Sequence, residues 1–136
     1  MINVNVTKQE LIKKLAKNYQ LELLILFGSQ ITGRIHRESD FDIGYISRLQ
    51  LTSEDEGHLI IALMPIVEQQ DERVINLVNL KRVTPLLLFA ATKSAQIFYE
   101  HTPITFAALR AYSFKQYFET KSLYRIKAER LGIKLS

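Results

Sequence analysis

Hydrophobic and polar positions follow two periods along this chain, and the switches between them mark its elements. Leu11, Ile12 and Leu15 recur at helical spacing with Lys13, Lys14 and Lys17 on the other side. A helix with one apolar and one wet face is expected there, ending near Asn18. Thr7-Lys8-Gln9-Glu10 has capping-box spacing and is the expected start. Leu23 to Phe27 is an unbroken apolar run stopped by Gly28-Ser29. Short, apolar and closed by a turn residue, it predicts a buried strand over 21–27. Asp40, Asp42 and Gly44 then alternate with Phe41, Ile43 and Tyr45. That period of two predicts a strand over 40–46.

Beyond it the pattern returns to helix. Ser53-Glu54-Asp55-Glu56 reads as a second capping box with acids in the first turn. The helix is expected to reach about Gln69, with Leu59, Ile60, Leu63, Ile66 and Val67 inward and Pro65 a candidate kink. Val74 to Leu80 is a third strand candidate. Pro85 opens an apolar helix through Phe89, and Gln96 to Glu100 is a last short strand. Thr102-Pro103 reads as a cap and first-turn proline opening a long helix, about 104–131.

At 136 residues the chain suits a single domain with one real core. Apolar residues make up 47% and charged residues 24%, an ordinary globular mixture. There is no cysteine, which removes disulfides and thiolate chemistry and suits a cytoplasmic protein. No apolar run reaches the roughly 18 residues of a membrane span, and the N-terminus lacks a signal-peptide pattern.

The chemistry concentrates between residues 23 and 46. Gly28 lets the backbone turn sharply and lets a ligand approach, because it has no Cβ. Ser29 is placed to cap a short helix, whose free N–H groups are a natural seat for phosphate; Gly33 then breaks that helix. On a strand, Asp40 and Asp42 share one face with Cα atoms about 6–7 Å apart. Neighbouring carboxylates repel, and a hard cation between them is the usual compensation. Mg²⁺ is commonly held by one or two carboxylates and substrate phosphate oxygens. A bare Asp-x-Asp is more often only a polar strand start after a loop. The Gly-Ser turn placed upstream behind an apolar strand favours a nucleoside-triphosphate site. Arg34, His36 and Arg37, in the loop between, are close enough in sequence to meet a triphosphate or an acidic partner, or simply to keep the loop wet. No pair of histidines has metal-ligand spacing.

Gly28-Ser29, ten residues, then Asp40-Phe41-Asp42 resembles the signature of nucleotidyltransferases related to DNA polymerase β. Gly33 matches that family's second glycine, and Ser39 the serine that usually precedes the first aspartate. The resemblance extends from about Leu21 to Glu100. The short chain is similar to the minimal nucleotidyltransferases, most of all to MntA-type antitoxins encoded beside HEPN-domain toxins. It implies an α+β fold: a small mixed sheet packed by helices, with a long C-terminal helix. It also implies ATP as substrate, Mg²⁺ on Asp40 and Asp42, and nucleotide contacts from Gly28, Ser29, Gly33 and Ser39. The activity it implies is transfer of AMP to a tyrosine of a HEPN ribonuclease toxin. One position departs from the pattern. The family's third catalytic carboxylate falls on Asn76, in Asn76-Leu77-Val78-Asn79-Leu80. An amide oxygen can contact a metal but cannot act as a base or add negative charge. An antitoxin with a degenerate site that neutralises its toxin by binding alone is therefore a second expectation. Transfer to a small molecule is a third, weakened by the lack of a second domain to build an acceptor pocket.

The C-terminal helix has more apolar residues than one stripe can use: Phe106, Leu109, Tyr112, Phe114, Tyr117, Phe118, Leu123, Tyr124, Ile126 and Leu131. One face is expected to pack on a core at about 7–100. The remainder, with its arginines, is a candidate surface for the toxin in a hetero-oligomer. From Arg110 onward seven Lys and Arg stand against two Glu, whereas the rest of the chain is nearly balanced. An acidic protein, a nucleic acid or plain solvation each accounts for such a basic tail.

Overall fold

The computed structural model describes residues 1–32 and 40–132. Gly33, Ser39 and the loop cations Arg34, His36 and Arg37 lie outside the described residues. The elements are α1 (Val6–Asn18), β1 (Leu21–Phe27), α2 (Ser29–Thr32), β2 (Phe41–Ser47), α3 (Ser53–Val67), β3 (Ile75–Asn79), α4 (Pro85–Lys93), β4 (Ala95–Glu100) and α5 (Thr105–Arg130). The four strands form one sheet in the order β3-β2-β1-β4. β1 pairs antiparallel with both β2 and β4, and β2 pairs parallel with β3. The expected mixed sheet with helices and a long C-terminal helix is present.

Strand alternation explains why the β1 run is apolar without a break. Leu24 and Leu26 point into one core with Ile43 and Tyr45 of β2, Ile12 and Leu15 of α1, and Leu59, Leu63 and Ile66 of α3. Leu23, Ile25 and Phe27 point into another with Leu80 and with Leu88 and Ala91 of α4; Phe106 and Leu109 of α5 pack against it. Over Leu23–Phe27 the strand is covered on both faces and has no position to spare for a polar side chain; Glu22, ahead of that run, is only partly buried. Inside the first core the Tyr45 hydroxyl donates to Glu56 Oε2 at 2.8 Å. Burial, and then that carboxylate, hold the phenol far above its ordinary pKa.

Several boundaries differ from the sequence expectation, each for a local reason. The cap of α1 is Asn5, whose side chain accepts from Lys8 N at 2.9 Å; the helix begins at Val6, so Thr7 lies inside it. The α3 box sits one residue earlier than expected. Thr52 Oγ1 accepts from Asp55 N, and Asp55 Oδ2 accepts from Thr52 N. α3 stops at Val67 because Glu68 takes a left-handed conformation, φ 56°, and Ile60 is only partly buried. Val74 belongs to a 3₁₀ turn, Glu72–Val74, capped by Asp71, so β3 starts at Ile75. Thr102 and Pro103 form a turn and not a cap. Thr102 N donates to Thr105 Oγ1, and Thr105 is the first residue of α5. Among the described residues no helix is long and apolar enough to cross a membrane.

Candidate functional site

The site lies where β1 ends and β2 begins. The antiparallel register sets Phe27 opposite Asp42, and the parallel register sets Asn76 of β3 beside it on the other side. Gly28, the residue after β1, has φ +81°, a left-handed conformation that favours glycine. Its carbonyl accepts from Ile31 N at 3.0 Å and so closes the turn into α2. A Cβ at Gly28 would overlap Asp42 Oδ2. The glycine is thus required twice, once for the turn and once for the carboxylate that lies against it. α2 begins at Ser29, so this residue is the first of the helix and Gly28 holds the position before it.

Asp42 is half-buried at the start of β2, and Asp40 is exposed immediately before the strand. The strand begins at Phe41, one residue later than expected, so Asp40 reaches the site from the preceding loop. Asn76 Nδ2 donates to Asp42 Oδ1 at 3.0 Å. Burial raises the Asp42 pKa above the ordinary carboxylate value, the Asn76 hydrogen bond opposes that rise, and the charge of Asp40 adds to it. Gly28, Asp42 and Asn76 therefore come together, with Asp40 near enough to act through its field. Among the described residues no three His, Cys, Asp or Glu side chains gather into a metal-binding cluster. The donors present are two carboxylates and one amide at the mouth of a glycine turn. That set suits a hard cation completed by phosphate oxygens, and a half-buried carboxylate held beside a second one is stabilised by such a cation.

Gly44, two residues along the same strand face, is a residue whose reason the sequence pattern leaves unread. A Cβ there would stand 2.9 Å from both Leu80 methyl carbons. A glycine inside a strand is the available signal for such a close approach.

The family model of polymerase beta nucleotidyltransferases matches residues 9–103, from α1 through β4. The chain belongs to that family. No curated protein sequence matches it. Solved structures with the same fold include a crystal structure of a toxin–antitoxin with AMP-PNP. That match has 20% identity and a TM-score of 0.68, covering 90% of this chain and 97% of that one. Another is the Shewanella oneidensis tri-AMPylated HEPN toxin in complex with MNT antitoxin, at 17% identity, TM-score 0.63, 90% of this chain and 94% of that one. A toxin–antitoxin MntA-HepT structure matches at 16% identity and TM-score 0.64, over 93% of this chain and 98% of that one. In this polymerase beta nucleotidyltransferase chain, α5 lies beyond the matched region.

α5 is the remaining feature the sequence singled out. Phe89 of α4 stacks on Tyr117 at 4.0 Å between ring centroids, with Phe114 and Phe118 around it. Arg110 lies over the Phe114 ring at 5.1 Å. Those contacts use one side of the helix. Tyr112, Phe118, Leu123, Tyr124, Ile126 and Leu131 are exposed, Leu123 and Tyr124 by about two thirds. A groove of about 270 Å³ runs between Pro85 and Leu86 of α4 and Tyr117 and Tyr124 of α5.

Proposed function

We propose that this nucleotidyltransferase is an MntA-like antitoxin acting in the cytoplasm, which transfers AMP from ATP to a tyrosine of a cognate HEPN-domain ribonuclease toxin. The observation that carries the reading is the Asp42 carboxylate, cradled by Gly28 and hydrogen-bonded to Asn76 at the end of this family's sheet. The similar structures with AMP-PNP and with an AMPylated toxin support it. In this reading the domain comprises a catalytic core, about 7–100, and α5 as the toxin-binding element. Its exposed aromatic and aliphatic residues next to arginines have the composition of interface anchors.

Transfer joins the tyrosine oxygen to the α-phosphorus, breaks the bond to pyrophosphate and releases the hydroxyl proton. Gly28 and Ser29 would seat the triphosphate against the backbone of the turn, with Gly33 and Ser39 completing the nucleotide contacts. Asp40 and Asp42 would hold Mg²⁺, which when bound neutralises phosphate charge and aligns the reacting oxygens. Asn76 orients Asp42 through its amide N–H but cannot take the proton. The chain thus contributes positioning and charge neutralisation, the principal needs of phosphoryl-type transfer.

A second reading has a specific observation behind it. With an amide where the family has its third acid, the site carries one negative charge fewer. An antitoxin that binds its toxin without modifying it follows if that loss is decisive. Intact mass of a co-expressed HEPN partner, after incubation with ATP and Mg²⁺, separates the two. The enzyme reading expects an AMP-sized gain with wild type and none with Asp42→Ala. A gain that appears only with Asn76→Asp supports binding alone. No gain with any of the three overturns the transfer reading for that partner.

A further inference from the structure

A second concentration of charge lies at the other end of the sheet. β1 starts there at Leu21, opposite Ser47 at the end of β2, and β3 and β4 end there at Asn79 and Glu100. Six strand steps separate Leu21 from Phe27, so this end is roughly 20 Å from the Gly28 turn. A cleft of about 360 Å³ is lined by Lys13 and Lys17 of α1, Arg48, Tyr99 and His101. A second cleft, about 220 Å³, is lined by Arg48 again with Lys81 and Arg82. Arg48 therefore joins them. Among the described residues no Asp or Glu lines either cleft. Lys81 is fixed by donating from Nζ to the Ser47 carbonyl at 2.7 Å, a contact that leaves its charge uncompensated. The five Lys and Arg are all exposed.

We infer that these two clefts form one track for the phosphodiester backbone of a single-stranded nucleic acid. Five cations collected from three separate segments, with no acid lining the clefts among the described residues, raise the local positive potential and attract anions. Two clefts sharing one arginine suit a chain of repeating charges better than a single small anion. Tyr99, a partly buried ring in the wall, offers a face on which a base can stack, as single-strand grooves commonly do. A protein partner would look for apolar anchors. Of the large apolar side chains lining the clefts among the described residues only Leu49 is exposed, whereas α5 exposes five. RNA and DNA share the chemistry the track recognises. The inference is independent of the toxin reading, because neither cleft includes Gly28, Asp40, Asp42 or Asn76.

The test is fluorescence anisotropy of labelled oligouridine and oligothymidine of about 12 nucleotides, at ~50 and ~200 mM salt. Both are expected to bind, more weakly at the higher salt, and Mg-ATP is expected not to compete. Tighter binding of the RNA would assign the source as RNA and add a 2′-hydroxyl contact; equal binding would mean that the backbone alone is read. Arg48→Gln should weaken binding about tenfold, and Lys13→Gln/Lys17→Gln/Arg48→Gln should lower the salt slope by about 2. Lys121→Gln/Lys127→Gln on α5 should leave binding unchanged. The inference is overturned if wild type binds neither oligonucleotide, or if the α5 pair abolishes binding while the triple variant keeps it. It is equally overturned if inorganic phosphate displaces the oligonucleotide at millimolar concentration, if duplex DNA binds tenfold tighter than both single strands, or if polyglutamate binds as well as either.

Discussion

Asp42 opposes the stability of the fold that presents it. Burial, only partly offset by the Asn76 amide and augmented by Asp40, keeps its pKa above the ordinary value. A carboxyl with a raised folded-state pKa binds its proton more tightly folded than unfolded. Stability is therefore lost as pH rises from the unfolded value, 3.8, through the folded one. Asp42→Asn removes the charge and keeps an oxygen for the Asn76 donor. At pH 7 it should raise the thermal midpoint by roughly 1–4 °C, since water screens a half-exposed charge. The gain should shrink as the pH is lowered towards 4, and nucleotidyl transfer should be lost; scanning calorimetry across pH checks the first part. Asn76→Asp reverses the argument. It sets a second carboxylate where the amide now donates at 3.0 Å, so its midpoint should fall in chelator and recover with Mg²⁺. Gly28→Ala meets both a left-handed φ and the Asp42 carboxylate. It should cost about 1–3 kcal/mol, readable by urea unfolding.

At the scale of elements, α5 is two helices in energetic terms. Its first half is held by Phe106 and Leu109 against the second core and by the Phe89–Tyr117 stack. Past Thr120 nearly every residue is exposed, and little but its own backbone hydrogen bonds holds it helical. Such a segment opens at low cost. Amide hydrogen exchange should therefore be fast over 121–132 and slow over 106–118 in the isolated chain. If α5 binds the toxin, the fast half should become protected in the complex. Exchange that is uniformly slow along α5 would contradict this division. The aromatic stack is the joint: Phe89→Ala should extend fast exchange back towards Phe114.

For the whole molecule, β1 is shared by both cores, so the sheet and both helical layers should unfold as one unit. A ligand bound at the Gly28 end then stabilises everything. Mg-ATP at about 100 times its dissociation constant should add about 2.7 kcal/mol, seen as a single transition moving up by several degrees. The shift should vanish in Asp40→Ala/Asp42→Ala. Two separated transitions in wild type would show that the layers are not coupled through β1.

The amino-acid order by itself determined the strands and their sidedness, because burial on both faces of β1 leaves only an apolar run and burial on one face of β2 leaves an alternation. It also determined the Gly28 turn and the place of Asp42 on β2, since both depend on neighbours a few residues away; Asp40, expected on the same strand face, lies just before the strand. Helix starts were legible only to within a few residues. Thr7, Ser53 and Thr102 have the right chemistry to cap, but the backbone conformation selects Asn5 and Thr52 for the first two helices and leaves α5 to start after Ile104 with no side-chain cap. Only the tertiary structure decided that Asn76 touches Asp42, because parallel pairing of β2 with β3 brings together residues 34 apart. It alone assembled Lys13, Lys17, Arg48, Lys81 and Arg82 at one end of the sheet. Along the chain these are scattered surface charges. In space the strand ends converge, and the potential there is the sum of charges that no local pattern connects.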